Sequence, residues 1–117
     1  QIIGADPVGS ILGGGDFISS YQVEGIGYDF FPDVLDNNLI DKYIKTEDKA
    51  SLLMARRLIC EEGLLVGGSS GAAMCAALEA AKSLKPGQKC LVLLPDSIRN
   101  YLSKFVDNKW MQEHKFI

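Results

Sequence analysis

The spacing of apolar residues changes several times along the 117 residues, and each change marks a candidate element. Gln1 to Ala5 is a short apolar run, expected to form a buried strand that Asp6-Pro7 ends. Gly13-Gly14-Gly15-Asp16 must be a loop, because three glycines in a row would cost a helix or strand several kcal/mol at about 1 kcal/mol each. Tyr21 to Gly27 is expected to be extended, and Pro32 then limits the conformations open to the chain. Leu39 to Lys45 is rich in strand formers and suggests an edge strand. Thr46 is then expected as a helix N-cap, with Glu47 and Asp48 favoured by the positive end of the helix dipole. Leu52, Ala55, Leu58 and Ile59 recur at helical spacing until Gly63 stops the helix.

The second half repeats this alternation more compactly. Leu64-Leu65-Val66 suggests a three-residue strand, followed at once by Gly67-Gly68-Ser69-Ser70-Gly71. Ala72 to Leu84 is an alanine-rich helix, with Met74, Cys75, Leu78 and Ala81 available to face a sheet. Pro86-Gly87 turns the chain. Cys90 to Leu94 is apolar without alternation, as strands of a covered parallel sheet are. Pro95-Asp96-Ser97 is expected to open a third helix carrying Ile98, Tyr101, Leu102 and Phe105 on one face. Helices and strands joined by short connections imply βαβ units, a parallel sheet and right-handed crossovers. The expected fold class is α/β.

Composition narrows the function. Hydrophobic residues make up 47% and charged residues 23%, which excludes a disordered chain. A net charge of −3 gives no basic footprint for nucleic acid or anionic lipid. The longest wholly apolar run, Leu91 to Leu94, is far below the roughly 20 residues of a membrane span. Neither nucleic acid nor membrane is an expected partner. The chain opens directly into a strand-like run and looks cut from something longer. Cys60, Cys75 and Cys90 are odd in number, form no CxxC pair and have apolar neighbours. They are expected to be buried structural thiols in a reducing, cytoplasmic compartment. His114, the single histidine, lies in a polar tail, so a His-rich metal site or His-based triad is not expected.

Candidate chemistry comes from the fold class, because ligands of open α/β sheets bind beyond the carboxyl ends of the strands. Gly67–Gly71 and Pro95–Ser97 fall there. In the first, glycines admit close backbone approach while Ser69 and Ser70 set hydroxyls beside the free N–H groups of a helix start. That suits an anion or polar ligand, and equally a tight serine-capped turn; it matches neither the dinucleotide fingerprint nor a phosphate loop ending in Gly-Lys-Ser/Thr. Glu24-Gly25-Ile26-Gly27-Tyr28-Asp29-Phe30 reads either as a loop lying against a flat ligand or as a plain turn. Asp96 and Arg99 could pair locally. Lys82, Lys85 and Lys89 suit a solvated helix end. Trp110 is expected to pack against the last helix.

Taken in order, Val23-Glu24-Gly25-Ile26-Gly27-Tyr28-Asp29-Phe30-Phe31-Pro32, Glu62-Gly63-Leu64-Leu65-Val66-Gly67-Gly68-Ser69-Ser70-Gly71 and Leu94-Pro95-Asp96-Ser97-Ile98-Arg99-Asn100-Tyr101 resemble the cysteine synthase group of fold-type II pyridoxal-phosphate enzymes. The Gly-Tyr-Asp-Phe and Asp-Ser-Ile-Arg-Asn-Tyr spellings resemble its cystathionine β-synthase branch. The similarity runs nearly end to end and is weakest over Leu12 to Ser20. It implies that the chain is the C-terminal portion of a catalytic domain, residues 1–117. It also implies pyridoxal phosphate as cofactor, serine and homocysteine as substrates, and a homo-oligomeric parent enzyme. Ser69 matches the serine that hydrogen-bonds the pyridine nitrogen. Gly25 matches the loop beside the cofactor, Gly27 and Tyr28 match the substrate side, and Pro95 and Asp96 match residues bordering the ring-nitrogen end.

The Schiff-base lysine of this family and its glycine- and threonine-rich phosphate loop have no match in these residues. The haem-binding segment of animal members and the C-terminal regulatory modules have none either. The 117 residues alone are therefore expected to be inactive. Two alternatives remain: a cysteine synthase using an activated serine and sulfide, or a non-catalytic fragment that pairs with another chain. For the stand-alone fragment a large exposed apolar surface is expected, because half a parallel sheet does not cover its own core.

Overall fold

A computed structural model describes residues 1–117. Strand β1 (Ile3–Pro7) pairs in parallel with β2 (Lys42–Thr46), with Ile3 opposite Lys42, Ala5 opposite Ile44 and Pro7 opposite Thr46. β1 runs through Asp6 and Pro7, past the expected stop. Proline fits there because it is the last residue of the strand. Helix α1 (Asp48–Glu62) follows β2 almost directly, and Gly63 closes it in the left-handed conformation, φ +69°. Thr46 belongs to β2, and Glu47 occupies the cap position without a side-chain cap bond. The Asp48 carboxylate instead reaches across to the loop before it, accepting hydrogen bonds from Gln22 N at 2.7 Å and Val23 N at 3.0 Å.

Helix α2 (Gly68–Ala81) begins earlier than its alanine-rich stretch suggests and includes the glycine-serine segment. Its first turns are the buried part, from Gly68 to Ala72, whereas Leu78 is exposed. Gly71 permits that burial. A Cβ built on it would lie 1.9 Å from the Ser51 carbonyl oxygen, so the two helices meet there backbone to backbone. Around this seam Val23, Leu52, Ala55, Ala72, Tyr101, Phe105 and Met111 form the core.

The two later strands of the sequence pattern do not form ladders. Val66 makes a single antiparallel bridge to Ser97. Cys90–Leu94 pairs with nothing in the chain, leaving Leu91 97% and Leu93 80% exposed. A strand needs a neighbour to satisfy its backbone, and these residues have none here. The third helix expected from Pro95 through Phe105 does not form. Ser97 caps a short 3-10 turn over Ile98–Asn100, irregular turns come next, and α3 forms only at Asn108–Glu113, capped by Asp107. Tyr101 and Phe105 are buried even so, while Leu102 is exposed.

The cysteines differ from expectation too. Cys60 and Cys90 are exposed and Cys75 is half-buried, all as free thiols. Their apolar neighbours in sequence do not enclose them. Trp110 packs against the core and stacks on His114 at 3.8 Å between ring centroids. No helix is long and apolar enough to cross a membrane.

Candidate functional site

The structure assembles the candidate residues in two groups joined by the core. The first is the start of α2. Gly67 N donates to the Asp96 carbonyl at 3.1 Å and Ile98 N donates to the Leu65 carbonyl at 3.0 Å, which lays Pro95–Asp96 alongside Gly67–Ser69. Gly67 has no room for a side chain: a Cβ would meet Asp96 Oδ1 at 2.0 Å and Tyr101 Cε2 at 2.7 Å. The Tyr101 hydroxyl donates to Asp96 Oδ2 at 2.6 Å, and no Asp96–Arg99 pair forms. Burial, then that hydrogen bond and the charges of Asp96 and Glu24, push the Tyr101 pKa up to about 12. Tyr101 therefore remains a donor throughout the neutral range.

Ser69 and Ser70 occupy the first turn of α2, where backbone N–H groups lack intrahelical partners. Ser69 is only 4% exposed, and its hydroxyl takes part in no hydrogen bond within the chain. Ser70 Oγ is fully buried and also unpartnered. Buried hydroxyls normally find partners, so the helix start offers hydrogen-bonding capacity that this chain does not use itself.

The second group is the loop from Tyr21 to Tyr28, which lines an open cavity of about 240 Å³. Four anchors hold it. Asp48 binds its beginning, Val23 sits in the core, Lys104 pairs with Glu24, and Ser10 grips the Tyr28 backbone. Gly25 and Gly27 both have positive φ, +80° and +78°. They differ in surroundings: a Cβ on Gly25 meets open space, whereas one on Gly27 would lie 2.5 Å from Pro7 Cγ. Tyr28 presents an exposed ring tilted against Phe30 at 5.1 Å. Tyr21 beside it has a raised pKa, from burial first and then from Asp6 and Asp29.

Glu24 and Lys104 link the groups, since Glu24 adjoins Gly25 while Lys104 lies just after Tyr101 in the turn that packs on α2. Gly67, two residues before Ser69, meets Asp96 directly, and the Glu24–Lys104 pair ties the Gly25 loop to the turn after Tyr101. Tyr28 and Gly27 sit at the far end, against Ser10 and Pro7. Sequence reasoning missed Ser10, Asp48 and Tyr101 as shapers of the site. Asp48 carried a signal, an acid in a helix first turn, but that signal points to the dipole and not to a distant loop. No group of three or more His, Cys, Asp or Glu comes together as a metal centre would require.

The parallel strand pair with helices packed on it, and an unpartnered serine at a helix start, define an α/β segment with a candidate polar-ligand site. The model of the family described as "Pyridoxal-phosphate dependent enzyme" matches residues 1–96, and the chain belongs to that family. It is 56% identical over 120 residues to a cystathionine beta-synthase of Dictyostelium discoideum, covering 99% of this chain and 24% of that protein. A cystathionine beta-synthase of Mus musculus is 52% identical over 122 residues, covering 100% of this chain and 22% of its own length. The crystal structure of an O-acetylserine dependent cystathionine beta-synthase from Helicobacter pylori superposes with a TM-score of 0.81 at 42% identity, over 89% of this chain and 34% of that one. The chain spans about a quarter of the length of the curated relatives it matches.

Proposed function

We propose that residues 1–117 are the C-terminal portion of the catalytic domain of a pyridoxal-phosphate-dependent lyase. Its reaction would be the condensation of serine with homocysteine to cystathionine by β-replacement. The observation that carries this reading is Ser69, a residue only 4% exposed at the start of α2 whose hydroxyl has no partner in the chain. The residues present fit the ring-nitrogen end of the cofactor: an unused hydroxyl, a Gly67 backbone with no side chain in the way, and Asp96 fixed by Tyr101. Pyridoxal phosphate supplies an electron sink conjugated to the amino acid, which is what makes loss of a β-substituent feasible.

Ser69 would donate its hydroxyl proton to the ring nitrogen. A hydroxyl, unlike a carboxylate, does not hold a full proton on that nitrogen, so it sets a milder sink that favours β-replacement over transamination. Pro95 and Asp96 would border the same end, with Asp96 kept in place by Tyr101. Gly25 would let the loop lie close to the cofactor. Gly27 and Tyr28 would form the amino-acid side, where the loop excludes water from the reacting carbon. The Schiff-base lysine and the phosphate-binding loop would come from residues outside these 117, as would any haem. The three free thiols support a reducing, cytoplasmic compartment, and we expect the whole enzyme to be a homo-oligomer.

Ser69→Ala in the enzyme that carries this segment tests the reading. The expected result is a shifted absorbance of the bound cofactor and turnover lower by about 10²-fold, the order of losing one well-placed hydrogen bond in the transition state. Unchanged spectrum and turnover would overturn it. The O-acetylserine dependence of the Helicobacter pylori relative favours an activated serine as donor, and the second reading is a cysteine synthase that uses such a donor with sulfide. Rates with the two donors and two nucleophiles decide between them.

A further inference from the structure

The sharpest polar construction outside the start of α2 lies behind Tyr28. Asp6 is 1% exposed at the end of β1, and Lys45 stands near the end of β2. Lys45 Nζ donates to Asp6 Oδ2 at 2.6 Å and to the Ser10 carbonyl at 2.6 Å. Asp6 Oδ2 also accepts from Gly13 N at 2.8 Å, so one carboxylate oxygen closes the turn from Ser10 to Gly13. Ser10, itself buried, then holds Tyr28 by both of its backbone groups: Ser10 Oγ accepts from Tyr28 N at 3.0 Å and donates to Tyr28 O at 3.2 Å. Leu12 N and Ile11 N complete the grip, the first on Ser10 Oγ and the second on Tyr28 O.

Asp6 is buried while Lys45 stays about a third exposed, and such a pair is a poor device for stability alone, since desolvating the carboxylate offsets much of what the attraction returns. Its value lies in fixing geometry. Here that geometry ends on a residue whose side chain is exposed and tilted against Phe30, while its backbone is held at both N–H and C=O. Asp6 Oδ1 is buried without a partner in the chain, so the hydrogen bonds of this carboxylate run through Oδ2 to Lys45 and Gly13.

We propose that Ser10, clamped by the Lys45–Asp6 pair, is a positioning residue that sets where Tyr28 stands and thereby sets affinity for the amino-acid substrate. The proposal rests on the reading above that Tyr28 faces that substrate. Loosening the clamp lowers the fraction of molecules with Tyr28 in place, and apparent affinity falls by that fraction. Loss of hydrogen bonds of this kind corresponds to about tenfold.

The test uses the cofactor-loaded enzyme, with Ser10→Ala, the double variant Asp6→Asn/Lys45→Met, and Tyr28→Ala as reference. Ser10→Ala is expected to raise KM for serine and weaken calorimetric serine binding about tenfold. Cofactor absorbance should be unchanged and kcat should move less than KM. Ser10→Thr, which keeps the hydroxyl, should restore both values. If Tyr28→Ala weakens serine binding and Ser10→Ala does not, the proposal is overturned and the reading of Tyr28 stands. If Tyr28→Ala leaves serine binding intact, the substrate-side reading falls and the proposal falls with it. Where Ser10→Ala loses the cofactor or fails to fold, the double variant decides, because it leaves the Ser10 hydroxyl in place. A weaker serine affinity at unchanged cofactor absorbance then supports the proposal, and an unaltered affinity refutes it.

Discussion

Replacing Gly71 by alanine sets two effects of known size against each other. Alanine is the better helix former, and inside α2 the exchange should gain about 1 kcal/mol from propensity alone. Against that, the new methyl carbon would stand 1.9 Å from the Ser51 carbonyl oxygen and 2.7 Å from Ala55 N, where ordinary contact begins at 3.4 Å. Both obstacles are backbone atoms of α1, so no rotamer change relieves them. The helices must part by about 1.5 Å, and gaps of even 0.5–1 Å forfeit a quarter to a half of each dispersion contact along the seam. Leu52, Ala55 and Ala72 lie in that seam, all within the core. Overpacking of this kind costs about 3–5 kcal/mol when backbone must move, leaving a net loss of about 2–4 kcal/mol after the propensity gain. Urea denaturation followed through Trp110, the single tryptophan of the chain, measures it. Gly63→Ala is the control: its φ is positive but its surroundings are open, so its loss should stay at about 1–2 kcal/mol. A Gly71→Ala chain as stable as the parent, or more so, would refute the close approach of α1 and α2.

Ser70→Ala removes a buried hydroxyl without a partner and should leave stability unchanged or raise it by up to about 1 kcal/mol, read from the same denaturation curves. Gly27→Ala should cost about 2–4 kcal/mol, from backbone strain plus the clash with Pro7, while Gly25→Ala should cost only the strain, about 1–2 kcal/mol. Equal costs at the two positions would contradict the packing of that loop. Alkaline titration should expose Tyr101: its folded pKa of about 12 exceeds the ordinary tyrosine value of 10.0, so its contribution is complete below pH 10 and is lost as pH rises through 12. Tyr101→Phe should remove that part of the alkaline loss, roughly 3 kcal/mol at most, although Tyr21 and Tyr43, also raised, will leave a remainder.

The main extent of α1 was legible in the sequence, although its cap residue and the start of α2 were not. The span of α1 and its stop at Gly63 come from spacing and one glycine, and both are present. Segments whose state depends on distant partners were legible only as potential. Cys90–Leu94 has the composition of a covered strand, but a ladder cannot be drawn by one side alone, and its leucines stand in solvent. The Ile98–Phe105 region has helical spacing, yet Asp96 and Ser97 hold its beginning through Tyr101 and a cap, and the chain turns irregularly there. At the candidate site the glycines and Ser69 could be singled out from motif likeness. The groups that shape their surroundings could not. Ser10 and Asp48 act across 18 and 25 residues of chain, and no local pattern records such a contact.

The bare Leu91–Leu94 segment carries a cost for anyone handling these residues by themselves. Cys90-Leu91-Val92-Leu93-Leu94 is uncharged, free of proline and glycine, and offers its backbone on both sides. Those are the properties of a stretch that stacks with its own copies into cross-β ladders. Lys89 on one side and Pro95-Asp96 on the other act as gatekeepers, limiting how far such a ladder can extend. The same five residues that would knit this segment into a larger sheet are, when left without one, its main route to precipitation.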